Sequence, residues 1–228
     1  MTPRALIGCE TSGQMRRAFA ARGWDVWSCD LLPADDGSNR HIRGDVRDLL
    51  GEGWDLLAVL HPPCTRLCRA GQRWLYGPGK TRPKALPKGR TWESMVAEFE
   101  EACALFSACL HAPIPRRMIE NPVMHCHAVE AIQPPKPQVV QPWWFGDPAF
   151  KATGLYLAGL PPLVASSPLT PPAHGSEEWR RWSAVHRAAP GPDRWKIRSA
   201  TFPGLARACA DQWGPLVEAA TGWTHAAA

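Results

Sequence analysis

Leu56-Leu57-Ala58-Val59-Leu60-His61-Pro62-Pro63-Cys64-Thr65-Arg66 is the stretch on which the reading of this 228-residue chain turns. Its short apolar run reads as a fully buried strand, the kind found in a parallel sheet covered on both faces. Pro62-Pro63 ends the strand, because proline supplies no ladder N–H and holds φ fixed. Cys64 is then the first side chain past that stop, at the carboxyl end of the strand, where ligands and chemistry gather in open α/β sheets. Two readings stay open there. A cysteine held on a rigid turn and followed by arginines suits an activated thiolate nucleophile. A small buried residue filling a tight turn is the simpler alternative.

Toward the N-terminus, Ala5-Leu6-Ile7-Gly8 reads as a first strand and Cys9-Glu10-Thr11-Ser12-Gly13 as a turn. Residues 14–22 have helical spacing on Met15, Ala18 and Phe19, with Gly23 as the stop. Asp25-Val26-Trp27-Ser28-Cys29-Asp30 reads as a second strand ending in a carboxylate. This is the layout of a nucleoside-cofactor site: turn amides lie near the cofactor and the acid accepts from ribose hydroxyls. A plain βα connection has the same outline, and Gly8-x-x-x-x-Gly13 lacks the dinucleotide glycine spacing. Residues 31–43 read as a polar loop. Gly44-Asp45-Val46 precedes a short helix, which Asp45 either caps or leaves to face an adenine amino group; capping is the simpler.

Toward the C-terminus, Arg66, Arg69, Arg73, Lys80, Arg82, Lys84, Lys88 and Arg90 follow Cys64 with no acid among them. Glycines and prolines make the second half of that segment loop-like. It is either a solvated basic loop or a mobile loop that grips phosphate. Residues 91–110 form the clearest helix, with Thr91 as N-cap and an apolar face of Val96, Phe99, Cys103, Phe106 and Leu110. Arg116 to Glu120 is a short strand, and Glu120-Asn121-Pro122 mirrors the strand-end arrangement at Cys64. His125-Cys126-His127 with Cys64 and Cys68 lacks structural zinc spacing, so no metal is expected. Residues 151–159 read as another strand. The Pro/Ser-rich stretch 160–192 carries a short helix at Trp179-Arg180-Arg181-Trp182, which either stacks on bases or packs as an amphipathic helix. A last helix runs through Leu205, Cys209, Trp213 and Leu216.

Composition bounds the rest. A chain of this length suits one α/β domain with a modest insertion. Twenty-four prolines predict long, stiffened loops, and twelve tryptophans predict flat surfaces for packing or stacking. A net charge of +5 and a pI near 8.9 favour a polyanionic partner. Eight cysteines without even spacing, with no secretory signal and no membrane-length apolar run, predict a reduced cytoplasmic protein with no membrane partner.

In this order, the landmarks resemble the DNA cytosine-5 methyltransferase family. They are the Gly8–Gly13 turn, Asp30, Gly44-Asp45-Val46, Pro62-Pro63-Cys64, Glu120-Asn121-Pro122 and Phe145-Gly146-Asp147-Pro148, then a strand and a closing helix. The likeness covers nearly the whole chain, and the Pro-Pro-Cys and Glu-Asn pair at strand ends is its specific part. More closely, the chain resembles a compact group common in phages and prophages. That group has a His-Pro-Pro-Cys-Thr stretch (His61 to Thr65) and a Thr-aromatic-Pro-Gly ending (Thr201 to Gly204) before Gln212-Trp213-Gly214.

The resemblance implies a Rossmann-like S-adenosylmethionine-dependent methyltransferase fold, an α/β architecture with a mostly parallel, doubly wound sheet. It implies methyl transfer to carbon 5 of a pyrimidine in DNA. Cys64 would be the nucleophile toward carbon 6, and Glu120, with Asn121 beside it, would hold the amino edge and N3 of the ring. A semi-buried strand end is expected to raise the Glu120 pKa, which suits a carboxyl that shares a proton with N3. Cofactor contacts carry over to Gly8, Cys9, Glu10, Thr11, Ser12 and Gly13, to Asp30 and Leu31, to Asp45 and Val46, and to His61, Pro62 and Pro63. The basic residues from Arg66 to Arg90 would close on DNA behind a flipped base. Four features depart from the family. Thr65 stands where glutamine is usual and Pro122 where valine is usual. Only Lys151 keeps a positive charge where an arginine-rich motif is usual. The long target-recognition region is missing, with the Pro-rich insertion 160–197 in its place within one catalytic domain, 1–228. Relaxed sequence specificity is expected. Two alternatives stand beside this reading: one-carbon or hydroxymethyl transfer to a free nucleotide, and a catalytically inactive nucleic-acid-binding accessory protein.

Overall fold

The run at Leu56 becomes a strand because every one of its side chains finds an apolar face, on alternating sides. In a computed structural model, Leu57 and Val59 pack into one core layer and Leu56 and Ala58 into the other. The first strand splits the same way, with Leu6 on one side and Ala5 and Ile7 on the other. Each fully buried Leu or Ile contributes about 1.5–3 kcal/mol relative to exposure, so these two strands anchor the fold. The structure describes residues 1–77, 80–189, 191, 194–199 and 201–224, and of residues 195–197 the backbone alone. Pro78 and Gly79 of the glycine- and proline-rich loop lie outside the described residues. So do Pro190, Pro192 and Asp193 of the 160–197 stretch and Ala200 before the last helix.

Seven strands make one sheet. They are β1 (Arg4–Gly8), β2 (Asp25–Asp30), β3 (His41–Arg43), β4 (Leu56–Val59), β5 (Arg116–Asn121), β6 (Gln138–Val140) and β7 (Thr153–Ala158). Their order is β3-β2-β1-β4-β5-β7-β6. The first five are parallel, and β7 runs antiparallel to both β5 and β6. Chain order reverses between β1 and β4, so a crevice opens past their carboxyl ends. There the Leu60 amide donates to the Gly8 carbonyl at 3.0 Å.

Helices cover both faces. α1 (Gln14–Ala20) brings Met15 and Phe19 to the β1 Ala5 side. Gly13 begins it in the left-handed region, at φ 67°, which a side chain would strain. Two four-residue turns, α2 (Arg69–Gln72) and the 3-10 turn Val46–Leu49, flank the crevice. α3 (Trp92–Leu110) covers the Leu6 side, and α4 (Cys126–Ile132) follows β5. The short helices α5 (Glu177–Trp182), α6 (Ala184–Arg187) and α7 (Arg194–Ser199) lead into α8 (Pro203–Thr221), which packs beside α1 on the Ala5 side through Leu205, Cys209, Trp213 and Val217. The Rossmann-like, doubly wound, mostly parallel architecture expected from the sequence is the one present.

Several local expectations shift. β3 lies within what reads as a polar loop, because its pairing to Ser28–Asp30 supplies an order that its own side chains do not signal. β6, α2 and α4 likewise carry weak local patterns. The buried stripe of α3 is Met95, Phe99, Ala102, Phe106, Cys109 and Leu110, so Phe99, Phe106 and Leu110 stand as expected, with Val96 and Cys103 at its flanks. In α8 it is Val217 that is buried, while Leu216 faces outward. Trp182 is buried against Phe150, ring centroids 5.3 Å apart, and Trp179 also meets Phe150, so the tryptophans of α5 pack on the protein. Among the described residues, no helix is long and apolar enough to cross a membrane.

Candidate active site

β4 and β5 lie side by side with Val59 opposite Ile119, so the loop after β4 runs beside Glu120. Glu120 is on the same face as Met118, toward α8, and is only 4% exposed. Three side chains meet its carboxylate. Thr153 on β7 donates a hydrogen bond to Oε1, His61 Nδ1 lies 3.4 Å from Oε2, and Lys151 adds positive charge. The far side of the His61 ring is held by Thr201, with Nε2 and Oγ1 3.0 Å apart. Burial pushes the Glu120 carboxyl up, but His61, Lys151 and Thr153 outweigh it and hold the group below the usual glutamate value. That reverses the raised pKa expected from a strand end alone, and the imidazole is the reason.

Cys64 is half-buried on the loop that follows. Burial first, then the charges of Glu120 and Cys68, push its thiol up to about 11, against a smaller opposing effect of Lys151. The free protein therefore carries a thiol, not the arginine-activated thiolate that the sequence suggests. Arg66, the nearest arginine in the chain, turns its Nε to Glu98 Oε2 on α3 at 2.9 Å. Asn121 is fully buried, with Nδ2 donating to the Pro122 carbonyl at 2.6 Å and Oδ1 without a hydrogen-bond partner.

A cavity of about 740 Å³ opens beside this cluster. Of the sequence-expected cofactor residues, Cys9, Asp30, Leu31, Asp45, Val46, His61 and Pro63 line it. Gly8, Glu10, Thr11, Ser12, Gly13 and Pro62 do not. The turn they form is instead tied to its surroundings. Thr11 donates to Asp35 at 3.0 Å, and Glu10 Oε1 accepts from Ser12 and from the Met15 amide, both at 2.9 Å. Glu10 Oε2 is buried and, among the described residues, has no hydrogen-bond partner. Asp45 accepts from the Arg47 amide and binds the Arg47 guanidinium at 2.5 Å, so the capping reading describes its present contacts. The volume falls within the range of ligand pockets, about 300–1,000 Å³. Its lining also suits an adenosine-bearing sulfonium: Leu31, 70% exposed, offers a bare apolar surface to a flat ring, and Asp30 sits beside it. Among the described residues, no group of three or more His, Cys, Asp or Glu side chains could hold a metal ion.

A second, tight pocket of about 20 Å³ lies around Glu120, walled by His61, Lys151, Thr153, Thr201 and Phe202 among others. It has room for roughly one water-sized group. The basic segment is not the acid-free surface its sequence describes, because α3 and α4 supply the acids. Arg66 and Arg90 both pair with Glu98, Arg82 pairs with Glu93, and Lys80 pairs with Glu130 at 2.8 Å. Arg73 lies over the Trp74 ring. Arg69 opens α2, and Lys84 and Lys88 lie on the loop that leads to α3.

Thr153 and Thr201 are site residues that the sequence reading did not single out. Thr153 carries no motif. Thr201 stands first in the Thr-Phe-Pro-Gly ending, which marks it by position but not by contact.

No family model and no curated relative matches the chain. Solved structures do show a similar arrangement. A DNA modification methyltransferase candidate encoded in an E. coli prophage is 12% identical with a TM-score of 0.42, over 68% of this chain and 46% of that one. The S. pombe Dnmt2 methyltransferase is 14% identical with a TM-score of 0.42, over 71% and 51%. A mutant DNMT2 from Spodoptera frugiperda is 11% identical with a TM-score of 0.37, over 69% and 50%. The matched part is about half the length of each of these structures.

Proposed function

We propose that this chain transfers a methyl group from S-adenosylmethionine to carbon 5 of a pyrimidine, cytosine foremost, in DNA. One observation carries the reading: a cysteine and a buried glutamate stand at adjacent strand ends beside a cavity with the size and lining for the cofactor. Bound there, S-adenosylmethionine would supply an electrophilic methyl group. Asp30 would accept from the ribose hydroxyls and Leu31 would lie against the adenine, with Val46 behind it and Pro63 and His61 at the methyl end.

Carbon 5 of cytosine is a poor nucleophile, and the residues of this chain would correct that. The Cys64 sulfur adds to carbon 6, which pushes an electron pair through the ring to N3. Glu120 supplies the proton that N3 takes up, and its carboxyl also accepts from the exocyclic amine. Lys151, which lines the pocket around Glu120, would support the O2 carbonyl of the pyrimidine. After transfer, a water molecule takes the carbon 5 proton, the electron pair expels the sulfur as the C–S bond breaks, N3 returns its proton to Glu120, and Cys64 is regenerated. Because the thiol sits near 11 in the free protein, it gives up its proton to solvent water only in the complex, where a proton placed on Glu120 removes one of the charges that hold it up. The tight pocket must also part to admit a ring, which suits a base delivered out of the stack. We assign residues 1–228 to one catalytic domain, with 160–197 in place of a recognition region and hence relaxed specificity.

The test is incubation with methyl-labelled cofactor and DNA oligonucleotides. Label is expected in 5-methylcytosine, abolished by Cys64→Ala and undiminished by competing dCMP. Label on an exocyclic nitrogen, or label that survives the cysteine change, refutes the mechanism. If S-adenosylhomocysteine fails to bind in calorimetry, the accessory-protein alternative takes its place.

A further inference from the structure

His61 is the one residue that borders both the large cavity and the pocket around Glu120, among the residues lining the two. Its ring is fixed at both nitrogens, Nε2 to Thr201 Oγ1 at 3.0 Å and Nδ1 facing Glu120 Oε2 at 3.4 Å. A carboxylate oxygen only accepts, so with Glu120 ionised and no base bound the proton between the two groups resides on Nδ1. The threonine hydroxyl both donates and accepts, so it can hold Nε2 in either protonation state. A histidine that merely lined the cofactor cavity would need neither contact.

We propose that His61 is a positioning residue that holds a reserve proton for Glu120 during methyl transfer; the inference rests on the carbon 5 reading above. In the state that acts, the pair shares one proton beyond neutral imidazole and carboxylate. As the sulfur adds to carbon 6 and the displaced electron pair reaches N3, the Nδ1 proton crosses to Glu120 and Glu120 passes it to N3. The imidazole is left neutral, its remaining proton on Nε2 toward the Thr201 hydroxyl, and the carboxylate is charged, accepting from Thr153 and from the N3–H of the base. When the C–S bond breaks, the proton returns by the same path. The other titratable or charged groups around the ring are Cys64 on its own loop, Lys151 ahead of β7, and Asp30 and Arg66 across the cavity. Changes at His61 leave all four in place.

Two measurements test this. The first is the pH profile of single-turnover methylation for wild type, His61→Asn and His61→Gln. In the variants Glu120 must hold the N3 proton alone, so the alkaline limb moves down by about one pH unit or more. The rate near pH 8 then falls about tenfold and recovers as the pH is lowered. A profile unchanged in shape, or lowered equally at every pH, overturns the proposal. The second needs no turnover: the side-chain carboxyl of Glu120, carbon-13 labelled, is titrated by NMR in the folded proteins. Its midpoint rises when His61 is replaced, and an unmoved midpoint overturns the proposal. A wild type that titrates as expected but transfers no methyl group would refute the carbon 5 reading, and with it the catalytic use of the pair. An unmoved Glu120 in an active enzyme refutes the His61 inference alone.

Discussion

Asp147, on the loop ahead of β7, accepts a hydrogen bond from the Gly204 amide at 2.8 Å, in the first turn of α8. Fifty-seven residues apart in the chain, the two weld the Phe145-Gly146-Asp147-Pro148 motif to the Thr-Phe-Pro-Gly ending, and so fix where Thr201 meets His61. A methyl group on residue 204 would overlap the Phe145 carbonyl, which is backbone and cannot step aside. Gly204→Ala should therefore cost about 2–3 kcal/mol in urea unfolding. Gly51→Ala, with open space around the added carbon, should stay within about 0.5 kcal/mol.

Cys64 should alkylate slowly at neutral pH, because burial and then Glu120 raise its thiol to about 11. Glu120→Gln removes the charge but not the burial. The iodoacetamide rate at Cys64, read by mass spectrometry at about pH 8, should rise about three- to tenfold in that variant. An unchanged rate would mean that burial alone sets the thiol.

Acid sensitivity should trace in part to Asp36. Burial pushes its carboxyl up, but hydrogen bonds from Arg16, the Ser38 amide and Arg17 outweigh burial and leave it below the usual aspartate value. A depressed folded pKa means that the stabilisation is fully present above the ordinary aspartate value, about 3.9. It is lost as pH falls through the lower folded one. Asp36→Asn should cost about 1–2 kcal/mol at neutral pH, since it leaves the buried Arg16 short of its 2.6 Å partner. It should also flatten the stability loss below about pH 4, as followed by circular dichroism.

Glu98 holds two of the basic groups that the function reading assigns to DNA, Arg66 and Arg90. Glu98→Gln should cost about 1–2 kcal/mol, because Arg66, 11% exposed, loses its charged partner. It should tighten binding to a random duplex and steepen its salt dependence by up to about two phosphate contacts. Fluorescence anisotropy at two salt concentrations reads both effects. Unchanged affinity and slope would place the DNA path away from this loop.

The strand ends of the candidate site were legible because they depend on short-range chemistry. Pro62-Pro63 had to stop β4, and Asp30 and Glu120 had to stand near strand ends, whatever the rest of the chain did. What escaped was set by contacts distant in sequence. β3 exists through its pairing with β2. Four of the eight basic residues of the loop, Arg66, Lys80, Arg82 and Arg90, pair with acids that its own segment lacks. Asp45, by contrast, caps the turn that follows it, as its local position predicts, and its ion pair with Arg47 competes with any ligand for the same oxygens.

The sequence by itself determined the alternation of buried runs, the strand stops and the residue types at those stops, since these follow from side-chain burial and backbone geometry over a few residues. Only the tertiary structure decided the electrostatic state of the site. His61 and Glu120 are 59 positions apart, and Thr201 is 140 beyond His61. A buried carboxylate feels whatever charge the fold places within a few ångströms, at any separation along the chain. For that reason strand-end position alone pointed to a raised Glu120, and the packed imidazole reversed the sign.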